Sequence, residues 1–264
     1  MKNDQAASPP LAEDLQLALI YGVLGAIAVL LLFPYLLETM PQMFSKTPVS
    51  LPVIALAQAG QGFVLLSLLS LAGLRMGHSV GLGSPWLRAL RFGRPRPAQP
   101  WLRAIVLGLA SGAVIVALSP LFDANMPAPL HPLPPVSADS ASWTGFLASF
   151  YGGIAEEVEL RLFLMTLIIW AVAKLSRSAA KPLLFWTAIV LAALLFGAGH
   201  LPAAAKIWTL DSVVILRTIS LNALGGLVFG WLYWKQGMES AVLGHFSADL
   251  VLHVVAPMLV GALT

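Results

Sequence analysis

The sequence predicts an all-α, polytopic transmembrane helical bundle, and three observations carry that prediction. Of 264 residues, 58% are hydrophobic and only 10% are charged, whereas soluble domains carry about 25% charged residues. The apolar residues form runs long enough for a bilayer core, which takes about 20 residues per helix. Polar, proline or glycine breaks divide those runs into seven spans near 15–37, 51–74, 102–121, 144–173, 182–205, 213–234 and 239–261. Depending on how the breaks are read, six to eight spans fit.

The first span follows MKNDQAASPPLAEDLQ, whose single Lys and three acids make a poor signal-peptide start. It reads as a retained helix. The fourth run is long enough to tilt or break, with Gly152-Gly153 as the place to do so. The fifth ends either near 205 or at Gly199, because Pro202 follows.

Lys and Arg set the orientation. Alternate segments carry Lys2, Arg75, Arg88, Arg91, Arg94, Arg96, Arg103, Lys174, Arg177, Lys181 and Lys235. The others carry only Lys46 and Lys206, with Arg217 near a helix end. The bias places the N-terminus inside. The absence of Cys excludes disulfides, thiolate metal sites and a cysteine nucleophile.

Two regions emerge. Residues 1–142 hold three spans, a basic inner loop at 75–103 and an outer loop at 124–142 with five prolines, expected to be extended. The basic loop suits anionic headgroups better than nucleic acid, so no nucleic-acid partner is expected. Residues 143–264 hold four spans and every strongly polar intramembrane group. No internal repeat is evident, which weakens a transporter reading.

GGIAEEVELRLFLM (152–165) places Glu156, Glu157, Glu159 and Arg161 inside a span. A charge at a helix centre costs about 2.5–3.5 kcal/mol on insertion scales, so four must pair or face a wet cavity. Glu157 and Arg161 are i and i+4 and share a face. Glu156 is turned about 100° away and lacks that cation, while Glu159 is three residues from it. An unpaired carboxylate in an apolar setting holds protons more tightly than one in water, as a general base near neutral pH must.

Two later spans add polar groups. FGAGH brings Phe196 and His200 together at i, i+4, and GHFSADLVLH repeats His245, Asp249 and His253 along one face. Such a set allows hydrolysis: Glu and His activate a water, while His and Asp polarise a carbonyl. A Zn²⁺ site on Glu156, His200, His245 and Asp249 is the competing use. There is no H-E-x-x-H helix. Ser247 lies two residues from both His245 and Asp249 and faces away from them, against a serine triad.

E-E-x-x-x-R (Glu156, Glu157, Arg161), F-x-x-x-H (Phe196, His200) and H-x-x-x-D/N (His245, Asp249), in that order, resemble the CPBP or ABI family of intramembrane proteases. That family includes the type II CAAX prenyl endopeptidases. The resemblance covers residues 143–255, including the Gly-rich LNALGGLVFGWLYWKQGMESAVLGHF. It implies that Glu156 and His200 activate water, that His245 and Asp249 form an oxyanion site, and that Glu157, Arg161 and Phe196 support them. Glu159, Leu162 after Arg161, and Asp249 in place of a frequent Asn depart from the family pattern. An ionised Asp249 repels an oxyanion, so it has to be protonated, paired with His245 or His253, or on a metal.

The family has been described both as metalloproteases and as metal-free glutamate proteases. We expect no metal, because no ligand set closes without the proposed base; zinc is the alternative. The expected function is an intramembrane endopeptidase of a bacterial plasma membrane, acting on a membrane-associated, CAAX-type or bacteriocin-like substrate. Membrane lipid is the other expected partner, and oligomeric state is not readable. The alternatives are a non-catalytic binding or immunity protein on the same scaffold and a proton-coupled transporter.

Overall fold

A computed structural model describes residues 9–45, 47–132 and 136–263, the last four of these as backbone only. Lys2, Lys46, Pro134 and Pro135 from the sequence argument lie outside the described residues. The described chain is helical throughout, without strands. The helices are α1 (Leu11–Thr39), α2 (Leu51–Gly77), α3 (Pro85–Arg91), α4 (Trp101–Asp123), α5 (Ala138–Phe150), α6 (Thr166–Ser176), α7 (Pro182–Gly199), α8 (Leu201–Ala204), α9 (Ser212–Gln236), α10 (Met238–Asp249) and α11 (Ala256–Leu263). Six helical stretches are long and apolar enough to cross a membrane. The seventh long stretch, 138–176, is helical too but carries the four charges of the Glu/Arg cluster.

That stretch corrects one expectation. It does not break at Gly152-Gly153; the backbone widens into π-helix over Tyr151–Glu156 and Val158–Met165 and then narrows into α6. A third π segment, Leu250–Val255, follows Asp249. π turns cluster at functional sites because they re-aim side chains without ending a helix. Here Glu156, Glu159 and Arg161 lie within π segments, Glu157 between two of them, and Asp249 directly before the last.

The outer loop is shorter than expected. The Ser137 side chain accepts a hydrogen bond from the Ser140 amide at 3.2 Å and caps α5, so helix resumes at Ala138 instead of after residue 142. The basic loop is likewise built: α3 occupies its middle. Its Arg side chains turn inward as well as to the surface. Asp14, fully buried on α1, accepts from Arg75 at 2.9 Å, from His78 at 2.9 Å and from Arg88, and Glu13 pairs with Arg88 at 3.1 Å and Arg94 at 2.5 Å. Several carboxylate–guanidinium bonds around one buried acid offset its desolvation. The loop is thus latched to α1.

Small residues let the helices approach. Side chains at Gly108 and Gly112 of α4 would collide with the Gly244 and Ala248 carbonyls of α10, and those at Gly226 and Gly230 of α9 with Ala193 and Ile189 of α7. Both G-x-x-x-G pairs are therefore helix contacts, as small-residue stripes in membranes usually are. Gly237, at φ +91°, makes the turn from α9 into α10, where a side chain would also strike Pro85.

Candidate active site

The Glu/Arg cluster resolves into two layers. Glu157 and Arg161 are both fully buried and paired at 2.8 Å between Glu157 Oε1 and Arg161 Nη1. The spacing argument foresaw that pair. It did not foresee that the same Oε1 accepts from His245 Nδ1 at 2.8 Å. Glu157 therefore ties Arg161 to the ring of a helix 88 residues away in sequence. Arg161 also donates to the Gly226 carbonyl at 3.3 Å and lies over the Phe196 and Phe229 rings, 5.0 and 5.4 Å from their centroids. Cation–π contact in a desolvated site contributes about 2 kcal/mol.

Glu156 points the other way. Its carboxylate lies between two imidazoles, with Oε1 3.7 Å from His200 Nε2 and Oε2 3.7 Å from His245 Nε2. These separations exceed a direct hydrogen bond and suit one bridging water. His200 caps α7, and its Nδ1 donates to the Phe196 carbonyl at 2.9 Å. That bond fixes the tautomer, leaving Nε2 as the acceptor that faces Glu156.

His245 is almost fully buried. It stacks on Phe229 with centroids 4.3 Å apart, and Phe196 meets both His200 and His245 edge-on at 4.8 and 5.6 Å. Asp249 Oδ1 lies 3.7 Å from His245 Nε2. Thus the structure brings Glu156, His200, His245 and Asp249 together from three separated helices, with Glu157, Arg161 and Phe196 behind them. Glu159 makes no hydrogen bond or ion pair among the described residues. His253 is set apart: its ring packs edge-on against Tyr35, centroids 5.7 Å apart, and it pairs with no acid among the described residues.

The convergence of mid-helix Glu156 with His245, only seven residues into α10, needed explaining. Helix stagger supplies part of the answer. Gly73, four residues before the end of α2, abuts the Leu162 carbonyl, fourteen residues before the end of α6. The strand of helix carrying Glu156 therefore overhangs its neighbours at the basic end. Residues 156 and 245 come level about 10 Å into α10.

Two contributors escaped the sequence reading. Phe229 gives no periodic signal inside its Gly-rich span. Gly152 was read as a hinge, but a side chain there would meet Asp249 Oδ2 and come within 3.1 Å of His245 Nε2. A methyl at 152 is expected to displace the His245–Asp249 pair. A misplacement on the order of 1 Å costs about a hundredfold in rate. Gly152→Ala should lose that much turnover while its thermal unfolding in detergent stays near wild type; unchanged turnover would refute the contact.

Each imidazole offers only one free nitrogen, since Glu157 and the Phe196 carbonyl hold the two Nδ1 atoms. Among the described residues no three His, Asp or Glu side chains are grouped so as to hold a metal ion. No step below runs through a metal ion.

A multi-pass helical membrane protein with a part-exposed carboxylate between two histidines defines the class. Within it, residues 138–251 match the family model described as Rce1-like, type II CAAX prenyl endopeptidase Rce1-like, so this part of the chain is an Rce1-like domain of a protease family. The match includes all four clustered residues and their supports, and leaves 1–137 and 252–264 outside it. No curated protein and no solved structure matches the chain.

Proposed function

We propose that this protein is an intramembrane endopeptidase in which Glu156 is the general base and no metal takes part. The observation that carries the reading is the placement of Glu156 3.7 Å from both His200 and His245 while its neighbour Glu157 is bound by Arg161. One carboxylate is neutralised; the other faces a water-sized gap.

A water there hydrogen-bonds to Glu156 and to the bare Nε2 of His200. Glu156 takes its proton as the oxygen adds to the substrate carbonyl carbon. The carbonyl oxygen, now an oxyanion, accepts from His245, whose ring is held by Glu157 and donates once Nε2 is also protonated. Asp249 Oδ1 stands 3.7 Å from the same Nε2 and serves the oxyanion only in its protonated form. Collapse breaks the C–N bond, and Glu156 returns the proton to the leaving amine. The products are one carboxylic acid and one amine, and the carboxylate is regenerated.

The substrate we propose is a membrane-associated peptide of the CAAX, prenylated type, cut by a multi-pass protein of a bacterial plasma membrane with its N-terminus inside. His245 lies about 10 Å along α10 from the basic α9–α10 turn, which puts that side of the site within reach of a peptide held at that surface. The test uses the purified full chain in nanodiscs and a quenched fluorescent peptide ending in a prenylated CAAX sequence. Cleavage that requires the prenyl group supports the substrate class; equal cleavage of the unprenylated peptide points to another class. Turnover is also expected to survive dialysis against EDTA and 1,10-phenanthroline. Loss that zinc restores would reverse the metal assignment.

A further inference from the structure

At the basic end of the bundle a cavity of about 720 Å³ opens between α2, α3, α4 and the α9–α10 turn, and none of its lining residues belongs to the candidate active site. Its lining includes His78, Arg88, Arg103, Trp231, Lys235 and Gln236, and no Asp or Glu side chain. His78 and Arg88 are committed to Asp14 and Glu13. Arg103 and Lys235 are exposed and have no carboxylate partner among the described residues; Lys235 Nζ sits 3.5 Å from the centroid of the Trp234 ring. Glu239 is not in the lining; its Oε1 is held by Ser84 at 2.6 Å and by the Leu87 amide at 2.7 Å, and its Oε2 is buried without a partner beside the lining Gly237.

The second observation is Gln236. Both its amide atoms are buried, and neither has a hydrogen-bond partner. A buried unpartnered amide costs about 1–3 kcal/mol, and this one lines a cavity that two free cations flank. An anion with several acceptor oxygens pairs with both cations, and reaches the amide N–H once the Gln236 side chain turns into the cavity. Trp231, Trp234 and the edge-to-face pair Trp86–Trp101, centroids 5.6 Å apart, mark this end as the membrane–water boundary.

We infer that this cavity is a phosphate site for the headgroup of an anionic phospholipid, held by Arg103, Lys235 and Gln236. Occupancy braces the α9–α10 turn, whose next helix carries His245 two turns on. The inference rests on the membrane placement and is independent of the protease reading.

Native mass spectrometry of the full chain, titrated with phosphatidylglycerol in neutral detergent, tests it. One saturable lipid should bind. Affinity should fall about fivefold for each cation removed in Arg103→Gln and Lys235→Gln, and about tenfold in Gln236→Leu. The charge-matched Arg91→Gln/Arg96→Gln variant should bind like wild type. Equal weakening in that control, or unsaturable binding, would mean general surface charge and overturn the site. A parallel arm adds inorganic phosphate at matched ionic strength. If free phosphate displaces the lipid, the ligand is phosphate itself and the lipid assignment falls. Should Gln236→Leu not fold, the exposed Arg103→Gln decides, since nothing packs on its charge.

Discussion

Glu156→Gln is expected to lower peptide-bond turnover on the order of a thousandfold, the middle of the range for loss of a general base, without unfolding the protein. The amide keeps the size and the hydrogen-bonding capacity of the carboxylate but cannot take a proton from water. The structure explains why folding should survive: Glu156 is part-exposed and its nearest imidazoles stand 3.7 Å away, so it holds no helix in place. Steady-state cleavage and thermal unfolding on the same preparation separate the two effects. A thousandfold loss accompanied by collapse of the fold would assign Glu156 a structural role instead.

The second large effect concerns the fully buried pair. Arg161→Leu leaves Glu157 buried without its cation, and breaking a buried pair from one side costs about 3–5 kcal/mol. Here the loss extends further, because Arg161 also bonds the Gly226 carbonyl and lies on two aromatic rings. The double variant Glu157→Gln/Arg161→Leu should be markedly more stable than Arg161→Leu, since no uncompensated charge remains. It should still turn over slowly, because His245 loses the carboxylate that holds its Nδ1. Chemical unfolding in detergent checks the first statement and cleavage kinetics the second. Equal stability of single and double variants would show that the pair is not what braces these helices.

Much of this was legible in the sequence because charge is conspicuous in a membrane. The spans follow from run length: α2 begins at Leu51 and α4 at Trp101, within a residue of the hydropathy breaks. The Glu157–Arg161 pair follows from spacing alone. What stayed hidden depends on contacts between distant segments or on backbone register. A π turn changes which carbonyl each amide meets, without changing composition, so 151–165 read as ordinary helix or a break. Asp14 looked like a polar flank until Arg75, His78 and Arg88 converged on it from more than sixty residues away. The bond from His245 to Glu157 and the stack on Phe229 are of the same kind. Gly152 shows a subtler limit: a glycine that admits another helix and one that bends its own look identical in sequence.

The account's central claim is that Glu156, set between His200 and His245, drives hydrolysis in the membrane. The most direct measurement compares new protein termini in membranes of cells carrying the wild-type chain with those carrying Glu156→Gln, at matched protein levels. The account predicts a defined set of cleavages, present with wild type and absent with the variant, close to membrane-associated segments of their substrates. Identical profiles from two folded, equally abundant proteins would contradict it, and would turn the polar cluster from a hydrolytic site into one that only binds.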